Sequence, residues 1–236
     1  MFSYTDSQGN DYYKPCKCMF QRQVDKRLRF ADIPNEFQDY TVDSFDVSLY
    51  QFPANLEKAE IVKKLCKNYV EDFDMLKGSG KGLYLYSHTK GSGKTRMAAS
   101  IANDIIAKYS ITVKFSTAIQ ILDEIKKTWR KNETGEQQFL SDIIHVPVLV
   151  IDDIGVEKPS PWVDEKFYSI LDGRLTQKQI TIFTSNCPTE QLMLDERIIS
   201  RIAKMAVPVP FPEESIRAAL TREENKDFYN KLLGGC

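Results

Sequence analysis

The sequence has no apolar run long enough to cross a bilayer, and residues 1–13 are polar and acidic instead of forming a charged-then-apolar leader. A helical membrane span is excluded on that reading, and a cytoplasmic location is expected. Cysteine is sparse. Cys16, Cys18, Cys66, Cys187 and Cys236 are an odd, scattered set, which excludes a disulfide framework and fits reduced thiols. Cys16 and Cys18 form a CxC pair that could supply half of a four-ligand zinc site, but no second pair or nearby histidine completes it. Net charge is nearly absent, at −1, so no global field favours nucleic acid, and any such binding has to come from local patches. The length of 236 residues suits one large α/β domain with an appendage. Residues 1–29 have little apolar periodicity and read as an appendage or linker carrying the orphan CxC, and 30–236 as one domain.

Chemistry is concentrated in residues 83–96, LYLYSHTKGSGKTR. The alternating Leu83-Tyr84-Leu85-Tyr86 predicts a buried strand, and residues 97–108 predict a helix, with a glycine-rich turn between them. This is the layout of a phosphate-binding loop: small residues let successive backbone N–H groups face phosphate oxygens, and the helix N-terminus adds its positive end. Thr89, Lys90, Gly91, Ser92, Gly93, Lys94, Thr95 and Arg96 are therefore expected to hold a nucleotide, ATP or ADP. Lys94 should reach the terminal phosphates and the Thr95 hydroxyl should ligate Mg²⁺. The pattern GxxxxGK followed by Ser or Thr has its first glycine at position 88, where this chain has His88. Histidine tolerates a left-handed backbone better than most side chains, so the turn is expected to survive.

Around this loop the chain alternates strands and helices. A helix is predicted over 56–73 with Ile61, Leu65, Cys66, Tyr69 and Val70 on one face, a flexible turn over 78–82, and a strand over 112–116. A second amphipathic helix over 117–129 places Ile119, Leu122, Ile125 and Trp129 on one face. A hydrophilic stretch, 126–138, ends in a loop near Gly135. The continuous apolar run 146–151 is the mark of a strand buried on both faces of a parallel sheet. The fold class is thus α/β, a parallel sheet flanked by helices, whose ligands bind beyond the carboxyl ends of the strands.

That run ends in Asp152 and Asp153. An apolar strand delivering two acids downstream of a phosphate loop is a Walker B element, with Asp152 placed to hold Mg²⁺ and Asp153 to orient or deprotonate water. A further strand, 180–184, leads to Ser185 and Asn186, which makes Asn186 the candidate γ-phosphate sensor, with Thr184 and Ser185 as competitors. Residues 192–202 predict a helix carrying Arg197 and Arg201 on one face. A guanidinium suits bidentate phosphate contact and, supplied in trans, would stabilise charge in phosphoryl transfer. Arg217, after the 207–212 strand or rim, is a third candidate.

Assembled, GSGKT at 91–95, VLVIDDIG at 148–155, TSN at 184–186, ERIISRI at 196–202 and SIR at 215–217 resemble the AAA+ ATPases of the DnaC/DnaI helicase-loader family, with the IstB transposition helpers as relatives. The resemblance spans residues 30–217. It implies an AAA+ fold with little or no C-terminal helical lid, ATP hydrolysis, catalytic roles for Asp153, Asn186, Arg201, Arg197 and Arg217, and metal roles for Thr95 and Asp152. It also implies self-assembly, a replicative DnaB-type helicase as partner, and single-stranded DNA held at two places: Lys126 and Trp129 at the end of one helix, and Ser160 and Trp162 in a proline-bracketed loop. Cationic groups would track phosphates there while indoles stack on bases. Two other readings stay open: a transposition helper acting on duplex DNA, and a nucleotide-gated adaptor with negligible turnover, suggested by Asp153 in place of the commoner glutamate. Tyr40 or Phe37 is the candidate wall of the base pocket.

Overall fold

A computed structural model describes residues 2–5, 11–14, 26–28, 30–128 and 133–232. Near the amino terminus β1 (Phe2–Thr5) and β2 (Asp11–Lys14) pair antiparallel. The CxC pair, Trp129, Arg130, Lys131 and Cys236 lie outside the described residues. The main body runs α1 (Pro53–Glu71), α2 (Phe73–Leu76), β3 (Gly82–Tyr86), α3 (Lys94–Tyr109), β4 (Val113–Thr117), α4 (Ala118–Thr128), α5 (Glu133–His145), β5 (Val148–Asp152), α6 (Pro161–Thr176), β6 (Ile180–Ser185), α7 (Glu196–Met205), β7 (Ala206–Pro210) and α8 (Arg217–Leu232).

Strands β3 to β7 make one parallel sheet in the order β4-β5-β6-β3-β7. Strand β3 sits between β6 and β7, so its glycine-rich exit opens beside the carboxyl ends of β6 and β5. The period-2 geometry of the strands splits the core in two. Leu83, Leu85, Val148, Val150 and Ile182 pack with α1 and α3, whereas Tyr84, Leu149, Ile151 and Phe183 pack with α4, α6 and α7. Pro208 and Pro210 are tolerated because β7 is an edge strand.

Several expected elements are shifted. Helix α1 begins earlier, with Pro53 in its first turn, and it buries Ala59, Val62, Cys66, Tyr69 and Val70, leaving Ile61 and Leu65 outside the core. On α4 the inward positions are Ala118, Ile121, Leu122 and Ile125, and Ile119 is exposed. Gly135 is inside α5 and not in a loop. Residues 192–195 precede α7, whose start is capped by the Asp195 carboxylate accepting from the Arg197 N–H. Trp162 belongs to the first turn of α6, capped by the Ser160 hydroxyl accepting from the Val163 N–H, so it is helical and not in a loop. After β7 comes the single helix α8, with no larger lid among the described residues.

One buried cation ties these layers together. The Arg174 guanidinium, fully buried on α6, donates to the carbonyls of Ile143, Ile144, Val146 and Ile180 and to the Thr181 hydroxyl. It satisfies the last carbonyls of α5, where the helix dipole favours a positive charge.

Candidate nucleotide site

The glycine-rich turn is built by local necessity. Gly91 and Gly93 have φ of +78° and +89°, in the left-handed region that a Cβ makes costly. Space is also short: a Cβ on Gly91 would stand 2.7 Å from the Ser215 hydroxyl oxygen, and one on Gly93 would stand 2.9 Å from the Phe45 ring. His88 does not take the left-handed conformation expected of it; it is exposed, with φ outside the positive range, so position 88 needs no glycine here. The Glu213 carboxylate accepts from the N–H groups of His88 (3.1 Å) and Thr89 (2.9 Å) and from the Ser87 hydroxyl (2.9 Å).

Lys94 opens α3 and is almost fully buried, its ammonium donating to the carbonyls of Ser87 (3.3 Å) and Thr89 (3.1 Å) and to the Ser92 hydroxyl (3.3 Å). Burial holds its pKa below the usual lysine value, against the pull of Asp153, Glu213 and Asp152. Thr95 follows, its side chain close enough to Asp152 to favour the ionised carboxylate. Asp152 is buried at the end of β5, and burial raises its pKa to about 6 although the Thr184 hydroxyl donates to it at 2.6 Å. Loop lysine, hydroxyl and first acid therefore meet at one point. Thr95 and Asp152 present hard oxygens of the kind Mg²⁺ takes, and Lys94 with the loop N–H groups suits phosphate.

Asp153 turns out of the strand at φ +54°, with its N–H on the Thr184 hydroxyl oxygen at 2.8 Å. Thr184 thus fixes both acids, and Ser185 donates to the Ile154 carbonyl at 2.8 Å. Those two competitors are committed to β5, while Asn186 stands half-buried just past the tip of β6. Arg217, at the start of α8, lies against the loop: its Cβ is 3.1 Å from where a Gly91 side chain would begin, and the Ile216 N–H donates to the Gly91 carbonyl. Arg96 points backwards: its guanidinium donates to the Ser44 carbonyl and lies over the Tyr40 ring at 4.3 Å, leaving only its backbone with the loop. Tyr40 itself packs on Phe37. The Tyr50 hydroxyl donates to the Ser92 carbonyl at 2.7 Å, a buttress with no motif to announce it.

The arginines of α7 are elsewhere. Arg201 donates to Asp172 (2.9 and 2.7 Å) and to the Tyr168 hydroxyl (2.7 Å) and lies 4.0 Å over the Tyr168 ring. With Asp172, Lys178, Gly80, Lys81 and Lys204 it lines a hollow of about 680 Å³. Residues 80, 81 and 178 precede β3 and β6, so this hollow is at the amino ends of the strands, opposite the phosphate loop. Arg197 is exposed and paired with Asp195. The two expected nucleic-acid places adjoin: the Lys126 ammonium on α4 lies 5.2 Å over the Trp162 ring on α6.

With this geometry in place, comparison with known proteins is decisive for the family. Residues 17–219 match the family described as IstB-like ATP binding protein. The chain belongs to that family. Among relatives, the replicative helicase loader DnaC of Escherichia coli (strain K12) is 32% identical over 161 residues, 67% of this chain and 64% of DnaC. The replicative helicase loader DnaI of Bacillus subtilis (strain 168) is 29% identical over 226 residues, 88% of this chain and 68% of DnaI. The chain thus spans about two thirds of the length of these relatives. A crystal structure of DnaI superposes with a TM-score of 0.61 at 28% identity, covering 76% of this chain and 94% of that one. As a member of the family it is an ATP-binding protein of AAA+ fold. No helix among the described residues is long and apolar enough to cross a membrane.

Proposed function

We propose that the chain is an ATP-dependent loader of a hexameric replicative helicase onto single-stranded DNA, self-assembling so that each nucleotide is shared between two copies. The observation that carries this reading is the division of the candidate residues between the two ends of one sheet. Lys94, Thr95 and Asp152 converge at the carboxyl ends, and Arg201 stands toward the amino ends, beyond reach of its own phosphate loop. An arginine so placed serves a neighbouring copy.

In this mechanism Lys94 and the N–H groups of residues 90–96 hold the phosphates, the Thr89 N–H being taken by Glu213, while Thr95 and Asp152 hold Mg²⁺. Mg·ATP, when bound, supplies the electrophilic phosphorus and neutralises part of the charge around it. Asp153 orients the attacking water and takes its proton, Asn186 senses the terminal phosphate, and Arg217 steadies it from the same chain. Arg201, with Arg197, stabilises the transferring group from the neighbour. DNA lies along Lys126, Trp129, Ser160 and Trp162, with stacking worth ~1–3 kcal/mol per base. Residues 1–29 act as a linker to the ATPase domain of 30–236.

The helicase and the DNA strand are read from the names of the relatives and from the Lys126–Trp162 pair. The IstB-like family description favours one competitor, a transposition helper on duplex DNA. Co-purification with a replicative helicase in ATP and in ADP, alongside gel shifts on single and double strands, separates the two. Nucleotide-dependent helicase capture with a single-strand preference is expected; duplex preference without capture overturns the loader reading.

A further inference from the structure

We infer that Glu213 is a positioning residue of the nucleotide site: its carboxylate braces the entrance of the phosphate loop from behind and, through the peptide unit joining Ser87 to His88, aims the Lys94 ammonium.

The inference begins from one peptide plane. The N–H of that unit, on His88, donates to Glu213 at 3.1 Å, and its carbonyl, on Ser87, accepts from Lys94 at 3.3 Å. Acid and ammonium therefore hold opposite ends of one rigid, polarisable amide. Two further donors fasten the carboxylate, the Thr89 N–H and the Ser87 hydroxyl, both at 2.9 Å. The Ser87 hydroxyl oxygen also lies 3.0 Å from the Pro212 carbonyl, which shares its single proton with the carboxylate. Burial alone would raise the carboxyl pKa of Glu213, but these bonds hold it below the usual value, so it is an anion against the loop at neutral pH.

The brace accounts for His88. With the loop entrance fixed by three charge-assisted bonds, the backbone there is determined without glycine's freedom. It also joins the loop to the segment leading to Arg217, since the Ile216 N–H donates to the Gly91 carbonyl only three residues after the acid. Its neighbour Glu214 faces the other way, accepting from the N–H groups of Gln51 and Phe52 and from the Asn55 amide. Glu213 thus holds the phosphate loop and Glu214 the chain entering α1, which supplies a matched control.

The inference rests on reading this loop as the nucleotide site. Glu213→Gln keeps the size of the side chain and removes its charge; Glu214→Gln does the same one residue on. ADP and a non-hydrolysable ATP analogue are titrated by calorimetry, and the position of the Lys94 side-chain resonance at pH 7 is read by NMR on lysine-labelled protein, assigned with Lys94→Ala. E213Q is expected to bind both nucleotides about tenfold more weakly and to displace the Lys94 side-chain resonance, with a melting temperature matching that of E214Q, which leaves that resonance unmoved. Parental affinity in E213Q, or a Lys94 resonance that stays put, overturns the brace. If the parental chain binds neither nucleotide, the site reading itself fails. Should E213Q not fold, Ser87→Ala removes one of the three donors and is expected to shift both readouts the same way by a smaller factor; no shift in S87A overturns the brace as well.

Discussion

Asp152 sets the pH dependence of the site. Its carboxyl is raised to about 6 by burial, above the unfolded value of 3.8, so the folded chain binds that proton more tightly than the unfolded chain does. Linkage then makes this group's contribution to stability fall as pH rises from about 4 to about 6. The Mg²⁺ role proposed for it would have the opposite slope, because only the ionised form ligates. Affinity for Mg·ADP is therefore expected to strengthen as pH rises through about 6, and Asp152→Asn is expected to flatten that step; calorimetric titrations between pH 5 and 7.5 check it, and a wild-type profile flat across that range contradicts it. Lys94→Ala is expected to abolish ATP binding in a fluorescence titration, and unchanged affinity counts against the assignment. Lys94 and Thr95 were legible in the sequence because phosphate chemistry imposes a short fixed spacing on them, and Asp152 because a continuous apolar run delivers it. Glu213 was not, since its three partners lie 124 to 126 residues away and nothing local marks it.

At the level of elements, the strands read clearly and the helices less so. Runs such as 148–151 are apolar on both faces and leave little choice, whereas α5 was hidden by Gly135 and a polar first half, and its apolar Phe139, Leu140, Ile143 and Ile144 are too few to declare a period. The helix α6 begins at Pro161-Trp162, where the prolines suggested a loop; Pro in the first helical turn with Ser160 as cap is the better reading of the same letters. Arg174 holds α5, β5 and β6 in register from inside the protein. Arg174→Ala strands four carbonyls and a hydroxyl in a buried space, and a loss of about 3–5 kcal/mol is expected, read as a lower denaturant midpoint. Arg174→Lys, with one donor group instead of a fork, is expected to recover only part of it. The pairing of α6 with α7 is more exposed, so removing Arg201 from Asp172 and Tyr168 is expected to cost only about 1 kcal/mol, which keeps the chain folded for kinetic work.

Across the whole molecule, the sheet separates the phosphate loop and Asp152 from Arg201. The strand order β4-β5-β6-β3-β7 brings residues far apart in sequence, Lys94, Asp152 and Arg217, to one edge, and the same parallel arrangement carries Arg201 toward the other. A parallel sheet could be anticipated from alternating strands and helices, but its strand order could not, nor the placement of Arg201, because helical spacing alone does not say which end of a sheet a helix face serves. Arg201→Ala is accordingly expected to bind nucleotide nearly as well as the parent and to lose ATP turnover. The most direct test of the shared site mixes Lys94→Ala chains, which lack a working phosphate loop but keep the arginine, with Arg201→Ala chains, which have the reverse lesion. Each variant alone is expected to be inactive in phosphate release, and the mixture is expected to recover turnover at interfaces pairing an intact loop with an intact arginine. A mixture no more active than its parts, or an R201A protein hydrolysing ATP at the parental rate, would contradict the division of the site between neighbouring copies.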